Sequence, residues 1–274
     1  MEQKKSGVTM IFGLLLAVTL GGILFHLLTG YDYPSAPATD FELNTLGDLY
    51  EAFFLIPAGL IGLWVLRKGS AWGPLLIVGV AANLAYNYAM LAAGRQNPWI
   101  FLWIAKLALA GTTVCLVWRL LPPGLGRRSG RRWGAAIYLV VAGLALSGMM
   151  WQRLLASAAG RTVEMTMQAS GTVDWGEPVL RDAVVFFSLA FPVLITAVLG
   201  LVRGTDWGGR AAAAMNAFIV SIISIVLFTG PLKEALLSGS VSAPMWRLSV
   251  MMILAAAPAV YFLIRPVKDE TRPI

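Results

Sequence analysis

The sequence predicts an all-α integral membrane protein of about eight transmembrane helices with both termini cytoplasmic. Three observations predict it. Of 274 residues, 58% are hydrophobic and 13% charged, whereas a soluble domain carries about 25% charge. The mean hydropathy is +0.75. Eight successive stretches are apolar over about 20 residues, the length that crosses a bilayer as a helix. Lipid offers no water to unpaired backbone groups, and a helix pairs them internally. Long uninterrupted apolar runs argue against barrel strands, which alternate.

The stretches are Val8–Leu28, Gly47–Leu66, Pro74–Ala93, Trp99–Leu121, Trp133–Ala156, Asp182–Val202, Ala211–Leu232 and Met245–Ile264. The first follows a basic start, and Ala36-Pro37-Ala38 has the look of a cleavage site. Its apolar core is longer than the 7–15 residues of a secretory signal, so it reads as a retained helix. The second and sixth carry mid-helix prolines, Pro57 and Pro192. Each removes a backbone hydrogen bond and kinks its helix. Trp72, Trp99, Trp133, Trp207 and Trp246 flank helices as interfacial belts.

Two loops are longer than the rest, Tyr31–Leu46 and Ser157–Arg181. Within the second, Thr162–Ser170 alternates polar and apolar residues, the pattern of a short strand laid over the helix ends. Met165 and Met167 there are soft donors suited to Cu(I), or packing residues.

Basic residues set the orientation. With the N-terminus inside, the inner segments hold fourteen of the 21 basic and four of the 14 acidic residues. The high isoelectric point is therefore a topological signal, not a nucleic-acid patch. The chain is placed in the bacterial inner membrane, with the lipid bilayer as its principal partner. Arg127–Arg132 forms a basic cluster at the inner surface that also suits anionic lipid heads.

A shift of 135 residues superimposes Pro57 on Pro192 and Gly69-Ser70-Ala71-Trp72-Gly73 on Gly204-Thr205-Asp206-Trp207-Gly208. Five of the 17 positions across 57–73 are identical. This suggests two four-helix halves, residues 1–132 and 133–274, forming one membrane domain. An even number of helices per half makes the repeats parallel.

Ionisable groups inside a membrane are costly and point to function. Asp48 and Glu51 share one face of the second helix at i,i+3 spacing. Asn83 and Asn87 share a face of the third, at i,i+4. Lys106 lies about 10 Å inside the fourth, at 1.5 Å per residue. Arg153 ends the fifth helix and Asp182 begins the sixth. Asn216, Ser221 and Ser224 follow on the seventh. Lys106 has three readings: a side chain snorkelling to the surface, an ion pair with Glu51, or a binding group. The two asparagines suit interhelical hydrogen bonds as well as ligand contacts. The ligand-binding candidates are Glu51, Asn83, Asn87, Lys106, Arg153 and Asp182. One cysteine, Cys115, and one histidine, His26, exclude an intrachain disulfide and a bis-histidine haem. No cofactor or metal is expected.

Tyr86-Asn87-Tyr88, with Pro57 and Trp72-Gly73 upstream and Asn97-Pro98 downstream, resembles multi-pass bacterial membrane proteins of no assigned activity. Asp182, Pro192 and Trp207-Gly208 resemble a second half of the same pattern. The resemblance covers most of the chain and implies the eight-helix architecture alone.

Three functions fit. One is small-solute binding or transport through an outward-facing polar site. Another is a non-catalytic subunit or assembly factor bound to partner membrane subunits, or a homo-oligomer. The third is a lipid-modifying intramembrane enzyme with Glu51 or Asp182 as base, which no motif supports.

Overall fold

The computed structural model describes residues 2–29, 46–94, 100–122, 129–158 and 183–270. Eight helices account for nearly all of them. They are α1 (Glu2–Thr29), α2 (Leu46–Arg67), α3 (Trp72–Gly94), α4 (Ile100–Val117), α5 (Ser129–Ala158), α6 (Ala183–Val202), α7 (Asp206–Ser238) and α8 (Ala243–Glu270). Each contains a segment long and apolar enough to cross a membrane. Large apolar side chains such as Leu28, Phe53, Phe101, Leu144 and Leu254 face outward. The architecture is that of a multi-pass membrane protein. Among the described residues there is no strand. The alternating stretch Thr162–Ser170, with Met165 and Met167, lies outside them.

Several helices outrun the apolar stretches, because capping rather than hydropathy fixes where a helix starts. α7 begins at Asp206, where the Thr205 hydroxyl accepts from the Gly208 N–H at 3.2 Å. It runs on past Pro231 to Gly239, whose φ of 73° is the left-handed C-cap glycine tolerates. The Ser242 N–H then donates to Glu234 Oε2 at 2.9 Å, tying the start of α8 to the end of α7.

Pro57 and Pro192 are each accommodated by a π-helical turn. In α2 the turn is Glu51–Leu55, closed by the Ile56 N–H on the Glu51 carbonyl. In α6 it is Phe186–Ala190, closed by the Phe191 N–H on the Phe186 carbonyl. The next residue is proline each time and has no N–H to give. The wider turn lets the ring fit and shifts the facing of the residues before it. Two short turns also match. Gly69 and Gly204 take φ of 77° and 69°, which only glycine adopts without strain. Ser70 and Thr205 N–H groups reach back to the carbonyls of Val65 and Gly200.

α3 and α7 are central. α3 packs on α2, α4 and α7, and α7 packs on α6, α8 and α3. α1 lies on α4, and α5 on α6. Buried side chains form one large core among α1–α4 and one face of α7. A second core fills α5–α8.

The turn before α7 yields a stability prediction. A Cβ at Gly208 would lie 2.1 Å from the Gly200 carbonyl carbon, which is backbone and cannot step aside. Gly208→Ala should therefore destabilise the protein by about 1–3 kcal/mol or more. Gly111→Ala, with nothing within 4 Å, should leave stability unchanged or raised by up to about 1 kcal/mol. Thermal unfolding of both variants in micelles checks this, and equal effects would contradict it.

Candidate functional site

α1 and α3 finish, and α2 and α4 begin, at the same end of the bundle. Four helix ends thus converge, and their polar side chains meet there. At the rim, Nδ1 of His26 on α1 contacts the carboxylate of Asp48 on α2. One turn deeper, Glu51 opens the π-turn of α2 and is only 7% exposed. Its Oε2 accepts a hydrogen bond from the Tyr88 hydroxyl of α3 at 2.9 Å. Thr19 Oγ1, on α1, lies 3.3 Å from the same phenol oxygen. A phenol has one proton. The carboxylate is the stronger acceptor and takes it, leaving the Thr19 hydroxyl to donate.

Lys106 of α4 approaches the other side of that tyrosine. It is 6% exposed, so it does not snorkel to the surface. Its Nζ lies 4.6 Å from the centroid of the Tyr88 ring, a cation–π contact. A Cβ at Gly22 would lie 2.8 Å from that nitrogen, so the missing side chain of α1 makes room for the ammonium. Among the described residues no carboxylate oxygen comes within 4.0 Å of it. Lys106 and Glu51 therefore do not form the anticipated close ion pair, and Tyr88 contacts both. Both carboxylates, Asp48 and Glu51, nonetheless lie within electrostatic reach of Lys106.

A second polar line adjoins this junction. Asn87 Nδ2 donates to Asn83 Oδ1 at 2.9 Å, and Asn83 Nδ2 donates to Ser221 Oγ on α7 at 2.8 Å. Asn83 is fully buried, and its bond crosses the α3–α7 seam. The Tyr50 hydroxyl of α2 donates to the Ser221 carbonyl at 3.0 Å and contacts the Ser224 hydroxyl. The Tyr50 ring stacks on Phe54, with Phe228 close by. α3 thus presents Tyr88 to α1, α2 and α4, and Asn83 to α7, while Asn87 bonds Asn83 and also reaches Glu51.

Of the residues chosen from sequence, Glu51 and Lys106 meet at Tyr88, and Asn83 and Asn87 form the adjoining line. Arg153 lies on α5, but its side chain is outside the described part, as is all of Asp182. Sequence reasoning missed Thr19, Gly22 and Tyr50, and it noted Tyr88 beside the asparagines without choosing it as a site residue. The one available signal was that Tyr88 follows Asn87 inside an apolar run. Among the described residues no three His, Cys, Asp or Glu side chains gather as a metal site would require. No protein family model, curated protein or solved structure matches this chain.

Tyr88→Phe keeps the ring beneath Lys106 and removes only the hydroxyl. Glu51 then keeps Asn87 but loses its phenol donor while remaining buried, which costs about 1–3 kcal/mol. Thermal unfolding in lipid nanodiscs should show the loss as a lowered Tm. An unchanged Tm would mean that the phenol does not hold the carboxylate.

Proposed function

We propose that this chain binds a small solute at the Glu51–Tyr88–Lys106 junction and moves it across the membrane. One observation carries the reading. Lys106 is a buried ammonium with three N–H donors, yet among the described residues it has an aromatic face and no carboxylate partner. An ion pair that served only stability would close up, because an uncompensated buried charge is costly. Here the carboxylate takes the hydroxyl of Tyr88 and the ammonium lies over its ring face, leaving the ammonium's N–H groups to an anionic or carbonyl oxygen of a ligand. The nearby carboxylates of Glu51 and Asp48 suit a positive or hydrogen-donating group on the same solute.

The positive-inside distribution supports an outward-facing site at this end. A parallel duplication also supports the reading. The π-turn, the proline, the positive-φ glycine and the Ser/Thr contact recur 135 residues apart. The central α3 and α7 would then be equivalents across an axis along the membrane normal, as in repeat-built transporters. The halves differ in chemistry. Phe186 occupies the position of Glu51 and is buried with Met150 and Ala190 among Tyr86, Phe187, Phe191 and Phe218. One half would hold the solute while an aromatic cluster fills the other.

The test is a thermal-shift screen of the purified protein in nanodiscs against small anionic, zwitterionic and neutral solutes. A ligand of this site should raise the Tm saturably, by about 2.7 kcal/mol of stabilisation at a hundredfold excess over Kd. Lys106→Met should abolish that shift. A screen with no effective solute, or an equal shift in Lys106→Met, would contradict the proposal.

A further inference from the structure

α7 carries a polar side chain that neither the junction nor the apolar cores use. Asn216 is 0% exposed. Among the described residues neither its Nδ2 nor its Oδ1 has a hydrogen-bond partner. It stands ten residues after Asp206, about 15 Å along the helix at 1.5 Å per residue. That is near mid-depth of the span Asp206–Leu232.

Its neighbours on α7 belong to two different cores. Ala213, Ala214 and Ala217 pack into the core of α1–α4. Ala212, Met215 and Ile219 pack into the core of α5–α8. Asn216 therefore points along the line where the two cores abut. α3 comes close at this level: a Cβ at Gly79 would lie 3.2 Å from the Ala217 carbonyl oxygen. Little more than one turn further along α7, Ser221 accepts from Asn83. Five residues apart, Asn216 and Ser221 lie on different faces of α7, so Asn216 is a polar position separate from the Asn83–Ser221 bond.

Neither packing nor helix propensity accounts for an asparagine here. Leucine has the same branching and number of side-chain heavy atoms, favours a helix more and brings no polar atoms to an apolar seam. A buried amide without partners forfeits its hydration, and native buried polar groups are almost always satisfied by protein or by bound water. A primary amide offers donors and an acceptor together and no charge. Its ligand should therefore be neutral and able to accept and donate at once.

We propose that Asn216 is a mid-membrane binding position for a small neutral hydrogen-bonding molecule. Water is the smallest member of that class, and a hydroxyl- or amide-bearing solute a larger one. The ligand accepts from Nδ2 and donates to Oδ1. The position is separate from the Glu51–Lys106 junction and stands whether or not that junction binds a solute.

The full chain in nanodiscs provides the test. X-ray radiolysis generates hydroxyl radicals from bound water where it lies, so a water at Asn216 should oxidise the adjacent Met215, which is only 2% exposed. Met150, buried among aromatics at 8%, is the control. If water is the ligand, Met215 oxidises several-fold faster than Met150, and Asn216→Leu removes the excess and lowers the Tm. If a larger solute is the ligand, Met215 stays slow, native mass spectrometry shows a retained small molecule, and Asn216→Leu loses it. Slow Met215 oxidation with nothing retained would overturn the proposal. So would a raised Tm in Asn216→Leu, the result expected when an amide with no ligand is removed. Should Asn216→Leu fail to fold, the oxidation and mass measurements on the unaltered protein still decide.

Discussion

A single tyrosine touches two buried charges, and the arrangement of four helices depends on it. In low-dielectric surroundings a carboxylate and an ammonium each lose hydration worth several kcal/mol, which only close partners restore. Tyr88 serves both. Its hydroxyl donates to Glu51, and its ring face lies beneath Lys106. α2 and α4 are thereby fixed against α3. Thr19 and the space left by Gly22 bring α1 to the same point. α3 is held in turn by α7 through the Asn83–Ser221 bond. If Tyr88 moved, both charges would lose their setting together.

The backbone before each proline explains how Glu51 comes to face that phenol. A proline ring inside a helix collides with the carbonyl four residues back and leaves it without a donor. The π-turn relieves the collision by adding a residue to one turn, and it begins at Glu51 itself. Facing is thus set by strain relief at Pro57 rather than by the side chain's own preference. The same backbone solution at Phe186 carries an aromatic residue and makes an apolar cluster. One local geometry supports a polar site in one place and a packed interior in another, because the side chains it carries differ, with Glu51 opening one turn and Phe186 the other.

Much of the fold was legible in the sequence. The eight spans could be read because apolar length dominates every other signal in lipid. Helix ends were less legible: α7 starts at Asp206 because Thr205 caps it, and capping leaves no mark in a hydropathy profile. Glu51 and Lys106 stood out because charges are conspicuous in apolar runs. Tyr88 and Gly22 did not, since tyrosine commonly sits at membrane interfaces and glycine is frequent in such helices. Recognising them requires knowing which face of α1 and α3 turns inward, and the helices carry little amphipathic pattern to reveal it. Asn216 was visible as a polar residue, but its place between two cores follows only from the packing of α7. Arg153 and Asp182 were chosen for charge at helix ends, and the described side chains do not include them.

The central claim is that Glu51 and Lys106, though not in contact, are coupled through Tyr88. A double-mutant cycle tests this most directly, using Glu51→Gln, Lys106→Met and the pair together, with unfolding free energies measured in one lipid environment. Coupling through the ring predicts that the double variant recovers part of the combined single losses, with an interaction energy of about 0.5–3 kcal/mol. Strictly additive losses would contradict it, leaving two buried charges that share a neighbour but not a function.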